Sequence, residues 1–463
     1  MSNAPQLLSL LFATIIQSLA CTTNAQVIAG GGGHSLLICA NSSVQSWGNN
    51  GSGELGTGNF ISFNAPVAVV GLTGVFALPH GCGAHSLAIT TSGELWAWGS
   101  NPYGQVGDGT TIDRNAPVQI TALSAVIDAA RGNYHTVAAK SDGTVWTMGS
   151  NTEGQLGNGT NTDSSVPVQV ANLTGVYAVG AGFDHSVALR TDGTVWGWGN
   201  NTYGQVGNGT NNDANTPVQV NGLSGVSAIA SGRYHCMALK NDGTVWIWGY
   251  NQFGQLGDGT MVYSNVPVQV SGLTDVAAIA GGQYHSLAIK SDGTLHVWGR
   301  NAQGQLGIGG STDQLLPVQV AGLSDVHTIA GGDFHSMALL NSGALWTWGN
   351  NASGTLGDGT NVNTDVPVQV VAACAPAQSI NAVETDMVLM IHPNPTNGAV
   401  TIQLDRAQQP ESILVRNALG QAVLRSTVTG ATCTADLSAQ PAGLYHVTLR
   451  TSHGSTTRMV VKE

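Results

Sequence analysis

One stretch of the chain brings three residue types used in catalysis close together. His285 is followed directly by Ser286, and Asp292 lies a few residues further on. A hydrolase could use such a set, with the histidine activating the serine and the aspartate orienting the histidine. Neighbouring residues of a β-strand point to opposite faces of the sheet, so His285 and Ser286 would not share the hydrogen bond that activation requires. We therefore expect no catalytic residues at this motif.

The motif is one copy of a repeat of about fifty residues. Its histidine recurs at spacings of 50 residues, with one spacing of 51, and a closing Pro-Val recurs on the same period. A Trp-Gly pair follows the histidine in every copy except one, where Met148 replaces the tryptophan. The repeated residues are His34, His85, His135, His185, His235, His285 and His335, with Trp47, Trp98, Trp198, Trp248, Trp298 and Trp348.

Each copy contains four segments of strand length separated by turns. In the copy around His285, residues 276–280 and 285–290 are short apolar runs, and an Asp-Gly pair marks a tight hairpin after the second run. A single four-stranded sheet cannot bury both of its faces, whereas a closed ring of seven copies can. The predicted fold class is all-β, a seven-bladed β-propeller followed by a small β-sandwich, with a linear β-solenoid as the alternative.

The motifs GxxHSLAL, DGTVWxWG, NxxGQLGxGT and PVQV resemble the repeat named for the regulator of chromosome condensation. They recur in all seven copies over residues 27–370. Residues present in every blade are best explained by what every blade needs, so we interpret the histidines and tryptophans as structural. One ring nitrogen of each histidine is expected to bond a backbone carbonyl of a neighbouring blade. Seven histidines spread around a ring are too far apart for several to bind one ion, and no metal or cofactor is expected.

Function is expected where the copies differ. Aromatic and charged residues vary just before the repeated histidines and at a second position in the glycine-rich loop. Such residues on a rigid rim are typical anchors of interfaces, although the rings could instead pack between blades. The candidate partner-binding residues are Tyr134, Phe183, Asp184, Arg233, Tyr234, Gln283, Tyr284, Asp333 and Phe334, with Tyr103, Tyr203 and Phe253 at the second position.

The two ends of the chain carry export signals. An apolar run too short to span a bilayer predicts a signal peptide over 1–25, which leaves a propeller over 26–373. After a linker at 374–386, residues 387–463 resemble the C-terminal sorting domain of the Bacteroidetes type IX secretion system, which implies contact with that machinery, export across the outer membrane and later removal. The resemblance rests on Pro393, Asn394, Pro395, Gly398, Gly420, Asp436, Gly443 and Tyr445.

Charge and cysteine content narrow the function further. The chain has 14 Lys/Arg and 26 Asp/Glu; six of each lie from Cys374 onward, so the propeller has eight basic and twenty acidic residues. This balance disfavours nucleic acid as a partner. The cysteine spacing fits no metal motif. Cys39 and Cys374 could pair if the ends of the ring meet, but buried free thiols are the preferred interpretation.

These observations favour a secreted or surface-attached scaffold that binds a protein or a polysaccharide through one face of the ring. The alternative is a secreted propeller enzyme, a lyase or a hydrolase. An enzyme should interrupt one repeat with a unique polar cluster, and the regular spacing indicates none. We expect a monomer without a transmembrane segment.

Overall fold

Every regular element of the described residues is a β-strand. The computed structural model describes residues 28–371, 373–374, 390–392, 399–403, 410–417, 422–427, 432–441, 443–451 and 454–462. The predicted signal peptide and most of the predicted linker lie outside these ranges, as do Pro393, Asn394, Pro395, Gly398 and Gly420 of the predicted sorting signal. The chain divides into two units, Met1–Cys374 and Ala375–Glu463.

The first unit is a seven-bladed β-propeller, as predicted, and each blade is built on four antiparallel strands in chain order, with the short β6 added to the sheet of blade 3. Blades 1 to 3 are β1 Ile28–Gly30, β2 His34–Ile38, β3 Val44–Gly48 and β4 Phe63–Ala68; β5 Val75–Ala77, β6 His80–Gly81, β7 His85–Thr90, β8 Leu95–Gly99 and β9 Arg114–Gln119; β10 Val126–Arg131, β11 His135–Lys140, β12 Val145–Gly149 and β13 Ser164–Gln169. Blades 4 and 5 are β14 Val176–Ala181, β15 His185–Arg190, β16 Val195–Gly199 and β17 Ala214–Gln219; β18 Val226–Ser231, β19 His235–Lys240, β20 Val245–Gly249 and β21 Ser264–Gln269. Blades 6 and 7 are β22 Val276–Gly281, β23 His285–Lys290, β24 Leu295–Gly299 and β25 Gln314–Gln319; β26 Val326–Gly331, β27 His335–Leu340, β28 Leu345–Gly349 and β29 Thr364–Gln369.

The turn between the second and third strands shows why the Asp-Gly pair recurs. In blade 6 the Asp292 carboxylate accepts hydrogen bonds from the Thr294 backbone N–H, at 3.0 Å, and from its hydroxyl, at 2.6 Å. Gly293 has φ of 78°, which a residue with a side chain seldom adopts. The aspartate therefore has a local task in the turn, and it lies at the end of the blade away from His285.

The first strands of the blades line the centre of the ring. They approach one another so closely that a Cβ on Gly281 would lie 2.6 Å from the Ser231 carbonyl oxygen, and the glycine leaves room for this approach. The antiparallel order puts the turns between first and second strands at the same end of the ring as the loops between third and fourth strands. We call this end the upper face, and the end with the Asp-Gly turns the lower face.

The hydrophobic core consists of clusters between consecutive blades rather than one central core. Between blades 6 and 7, Leu287 and Val297 pack against Ile329 and Trp348. All six repeated tryptophans are fully buried in these seams, and Met148 occupies the equivalent place between blades 2 and 3. Because each blade has a seam on either side, both of the faces that a lone blade would expose are buried.

The ring closes where blade 1 meets blade 7, and among the described strands none is exchanged between the two blades. Ile28, Leu37 and Trp47 of blade 1 pack against Ala330 and other residues of blade 7. A disulfide joins Cys39 to Cys374 across this seam, over a sequence separation of 335. The preferred prediction of free thiols is therefore wrong for this pair, because a closed ring brings the two ends of the propeller together. Cys82 and Cys236 are free and buried.

Blade 2 departs from the regular pattern, at the single spacing of 51 residues. Its first strand is interrupted, and the short β6 pairs in parallel with β10 of blade 3. The fully buried Arg131 guanidinium donates hydrogen bonds to the carbonyl oxygens of Gly30, Gly81 and His85, at 2.6, 3.3 and 3.2 Å. Arg131 contacts only backbone oxygens here, as expected of a side chain that fills an irregular joint.

The second unit contains two sheets. The first has the order β30 Met390–His392, β31 Ala399–Gln403 and β34 Thr432–Asp436. The second has the order β33 Ala422–Thr427, β32 Pro410–Asn417, β35 Gly443–Thr451 and β36 Gly454–Lys462. Tyr445 is buried and donates a hydrogen bond to the Pro441 carbonyl oxygen at 2.7 Å, and Asp436 accepts one from the Ser438 backbone N–H. The packing of one sheet on the other lies outside the described residues, so the sandwich stays a prediction.

Candidate functional site

Each repeated histidine is hydrogen-bonded to the next blade, and these seven bonds follow one another once around the ring. We call the seven residues the relay histidines. His285 Nε2 lies 2.9 Å from the Ser336 hydroxyl of the next blade, and that hydroxyl donates to the Gln305 carbonyl oxygen at 2.7 Å. Because the hydroxyl proton is used by the carbonyl, Nε2 must donate its own proton to the hydroxyl. The equivalent pairs are His34–Ser86, His85–Thr136, His135–Ser186, His185–Cys236, His235–Ser286 and His335–Ser35.

The partner of each histidine differs from the predicted backbone carbonyl. The residue directly after a histidine receives the bond from the previous blade, so Ser286 belongs to the His235 bond and not to His285. The same loop carbonyl also accepts the indole N–H of the next blade, as Gln255 does from Trp298 at 2.9 Å. A Cβ on Gly282 would lie 2.0 Å from the His285 ring, so the glycine that precedes each histidine makes room for it.

Burial holds the relay histidines in the neutral form. Burial lowers the pKa of His135, His185, His235, His285 and His335 to about 3, and it lowers the pKa of His34 and His85 well below the usual value. Within the described residues, Nδ1 of each repeated histidine except His335 has no hydrogen-bond partner. A neutral, fully enclosed ring is suited to joining blades, and it is closed to any substrate.

The upper face carries a rigid band of turns at the inner rim. The Phe183 backbone N–H donates to the Arg233 carbonyl at 2.8 Å, and the Arg233 N–H donates to the Gln283 carbonyl at 3.1 Å. Further bonds of this kind link Asn133 to Phe183, and Asp333 to Gly31. The residues that vary between repeats are therefore held on a backbone whose shape is fixed by neighbouring blades.

Ten aromatic side chains on this band and on the adjacent loops form one continuous surface, which we call the aromatic arc. The rings contact one another from blade to blade, with centroids 4.9 Å apart for Tyr103 and Tyr134, and 5.6 Å apart for Phe183 and Tyr234. Most of the rings are half-buried, and Tyr103 and Tyr263 are about 40% exposed. The arc comprises Tyr103, Tyr134, Phe183, Tyr203, Tyr234, Tyr250, Phe253, Tyr263, Tyr284 and Phe334.

Two guanidinium groups lie on the arc. Arg233 Cζ lies 3.9 Å from the centroid of the Phe183 ring, and Arg300 Cζ lies 4.9 Å from that of Phe253. Both also lie within 6.0 Å of the Tyr284 centroid. Phe334 joins the arc through Arg300, at 5.6 Å. Cations over aromatic faces fix the rotamers of both partners and add to the order of the surface.

The predicted carboxylates lie at the inner edge of the arc. Burial, with a contribution from the nearby Glu153 carboxylate, raises the pKa of Asp184 to about 6. Burial raises the pKa of Asp333 to about 7, although Arg233 and Arg131 oppose the shift. Asp333 accepts a hydrogen bond from the buried Gln283 amide at 3.0 Å. All twelve candidate residues predicted from repeat variation thus lie on one face of the ring.

Sequence reasoning missed three members of this surface. Tyr250 and Arg300 directly follow the Trp-Gly pair, where other copies carry asparagine or serine. Tyr263 is a clearer case, because the equivalent residue in the other six blades accepts a backbone N–H that closes the loop, as Asp313 does from Asn301 at 2.7 Å. Blade 5 lacks that hydrogen bond, which is worth about 1 kcal/mol, and carries there a tyrosine that is 42% exposed. The criterion of repeat variation would have found all three.

No other arrangement of side chains in the described residues favours chemistry. His285 and Ser286 belong to different inter-blade bonds, and Asp292 is held by Thr294 on the lower face. Among the described residues, no group of three or more His, Cys, Asp or Glu is placed to hold a metal ion. The described part of the chain also contains no helix long and apolar enough to cross a membrane.

Comparison with known proteins places the ring in a family. The family model described as the RCC1-like domain matches residues 113–394, and that of the regulator of chromosome condensation (RCC1) repeat matches 83–105. Prp20p from Saccharomyces cerevisiae, whose structure is described with its binding to Gsp1p and histones, is 25% identical with a TM-score of 0.63, over 71% of this chain and 86% of that chain. Human WBSCR16 is 29% identical with a TM-score of 0.61, over 68% of this chain and 87% of that chain.

Curated relatives match over shorter segments. The ultraviolet-B receptor UVR8 of Arabidopsis thaliana is 35% identical over 108 residues, which are 23% of this chain and 24% of that protein. The human E3 ubiquitin-protein ligase HERC2 is 35% identical over 127 residues, which are 26% of this chain and 3% of that protein. The chain thus spans a quarter or less of the length of these relatives.

Residues 390–463 match the family model of the secretion system C-terminal sorting domain. This match covers the second unit of the chain and agrees with the resemblance carried by its sequence motifs. The sorting domain directs export through the type IX secretion system, to the cell surface or into the medium.

Proposed function

Because the chain belongs to the family of RCC1-like propeller proteins, we propose that its ring is an exported scaffold that binds a protein partner across the aromatic arc. The observation that carries this proposal is the continuity of the arc. Nine rings from successive blades contact one another on one face, the tenth, Phe334, joins them through Arg300, and the turns that carry them are hydrogen-bonded to each other. Tyrosine and arginine on a rigid support lose little conformational entropy when a partner binds.

A protein fits this surface better than a polysaccharide does. A sugar ring stacks on an uncovered aromatic face, but guanidiniums cover the faces of Phe183 and Phe253. Several other pairs meet edge to face, as Tyr203 and Tyr250 do at 4.8 Å. The surface therefore offers ring edges, hydroxyls and guanidiniums, which are the groups that protein interfaces use. The binding of Gsp1p and histones named for Prp20p is an example of protein binding by a similar ring.

The arc can be tested by replacing Tyr134, Tyr234 and Tyr284 together with alanine. We expect the variant full-length chain, immobilised and exposed to proteins of the producing cells and their surroundings, to lose the partner that the unaltered chain captures. Removing central aromatic anchors typically costs 2 kcal/mol or more each, or about thirtyfold in affinity. Mass spectrometry of the captured proteins measures the loss.

A matched control is Tyr177→Ala, because Tyr177 lies at the lower end of β14 and bonds the Ser227 carbonyl there. This control should retain the partner, and the melting temperature of the triple variant should stay close to that of the unaltered chain. Capture that survives the triple substitution in a folded ring would show that another surface binds the partner.

A further inference from the structure

The two guanidiniums of the aromatic arc have no ion-pair partner among the described residues. Four other basic side chains of the propeller pair with carboxylates: Arg114 with Asp108, Lys140 with Asp142, Arg190 with Asp192, and Lys240 with Asp242. The buried Arg131 guanidinium donates hydrogen bonds to three backbone carbonyls. Within the described part of the chain, Arg233 and Arg300 have aromatic rings but no carboxylate as neighbours within ion-pair distance, and both lie near Tyr284 of the aromatic arc.

A guanidinium that lies over an aromatic ring can still donate hydrogen bonds to a partner. Its N–H donors lie in its own plane and form a fork that matches a carboxylate. The Arg233 and Arg300 side chains are only partly buried, and neither forms an ion pair with a carboxylate of the described residues. A carboxylate of a partner can therefore pair with them.

The surrounding charges confine this attraction to the arc. The propeller has twenty acidic and eight basic residues, which repel an acidic molecule over most of its surface. The neighbouring Asp184 and Asp333 carboxyls form no ion pair with Arg233 within 4.0 Å in the described residues. Burial raises the pKa of Asp184 to about 6 and that of Asp333 to about 7. Both carboxyls therefore carry less negative charge near neutral pH than an exposed carboxyl does, and they compete less with a partner's carboxylates for the guanidiniums.

We infer that the aromatic arc recognises an acidic segment of its protein partner, in which carboxylates pair with Arg233 and Arg300 while apolar or aromatic side chains of the segment lie on the rings around Tyr284. This inference rests on the proposed function and specifies the chemistry of the partner. The guanidiniums favour an acidic segment over a neutral or basic one, and the aromatic rings provide the surface on which its apolar side chains lie.

Defined peptides test the inference on the full-length chain. The probe is a fluorescent pentapeptide, Glu-Tyr-Glu-Phe-Glu with blocked ends, and its binding is followed by fluorescence anisotropy. We expect it to bind, the Gln-Tyr-Gln-Phe-Gln analogue to bind at least tenfold more weakly, and the double variant R233Q/R300Q to lose at least tenfold in affinity for the acidic peptide. R190Q is the control, because Arg190 pairs with Asp192 and lies over Trp196 away from the arc; it should change affinity less than twofold.

Each other outcome overturns the inference. Equal binding of the acidic and the glutamine peptides would remove the role of the carboxylates, yet would leave the arc as a binding surface if the triple tyrosine variant lost both peptides. Tighter binding of an oligogalacturonate than of the acidic peptide would assign the surface to an acidic polysaccharide. Absence of binding by any peptide would reject an acidic segment, and the partner-capture experiment would still decide the proposed function independently.

Discussion

Lowering the pH from 7.5 to 5 should destabilise the propeller strongly, because unfolding releases seven buried neutral histidines. An unfolded histidine has a pKa near 6.5, whereas burial lowers the pKa of the relay histidines to about 3 or well below their usual value. Between these two pKa values the unfolded chain binds more protons. The stabilisation is therefore complete above pH 6.5 and is lost progressively as the pH falls toward 3.

Three buried carboxyls act in the opposite direction. Burial raises the pKa of Asp128 and Asp333 to about 7 and that of Asp184 to about 6, so their contribution favours the folded state at low pH and is lost as the pH rises toward 7. Seven histidines outweigh three carboxyls, and unfolding near pH 5 should take up about four protons net. The dependence of the urea midpoint on pH measures this number.

A single histidine can be isolated with His285→Gln. The glutamine amide can donate to Ser336 as the histidine does, but it does not titrate, so the variant should take up about one proton fewer on unfolding. A pH dependence identical in the variant and in the unaltered chain would contradict the role assigned to the histidines.

Removing the Cys39–Cys374 disulfide should cause the second large loss of stability. The bond joins the two ends of a ring that is otherwise closed only by side-chain packing and hydrogen bonds such as Trp47 to the Thr355 carbonyl. Native disulfides typically contribute 2–5 kcal/mol, and longer loops give larger values in the chain-entropy description. The double variant C39S/C374S should melt at a lower temperature, with faster hydrogen exchange first at β1 and β26.

Cys236→Ser is the matched control for this experiment. Cys236 receives the His185 bond at the position where most blades carry serine, so a hydroxyl there should preserve or improve stability. Equal melting temperatures for the oxidised chain and for C39S/C374S would mean that packing alone holds the seam closed.

The propeller could be predicted because the sequence motif of one blade occurs seven times in the chain. A period of fifty residues, the Asp-Gly turns and the Trp-Gly pairs each repeat, and each has a local cause such as the positive φ of Gly293. The pairing of Cys39 with Cys374 could only be named as possible, because it requires blades 1 and 7 to meet, and no local sequence pattern shows that contact. Arg131 was missed for the same reason, since its three carbonyl partners belong to two other blades.

The candidate site was predicted in part. Variation between repeats picked out residues such as Tyr234 and Tyr284, because a position free of the demands of blade building can serve a partner. That the rings form one continuous arc depends on the distances between blades, which the sequence does not specify. The loss of a loop-closing acceptor at Tyr263 is a signal that the repeat alignment does contain, and it strengthens the case for a binding surface on blade 5.

The central claim is that the aromatic arc is the surface through which the exported ring holds its partner. Hydrogen exchange of the full-length chain, alone and in complex with the captured partner, tests it most directly. We expect protection of the upper-face turns at 133–134, 183–184, 233–234 and 283–284, and little change at the lower-face turns at 142–143, 192–193, 242–243 and 292–293. Protection confined to the lower-face turns, with the arc unchanged, would contradict it.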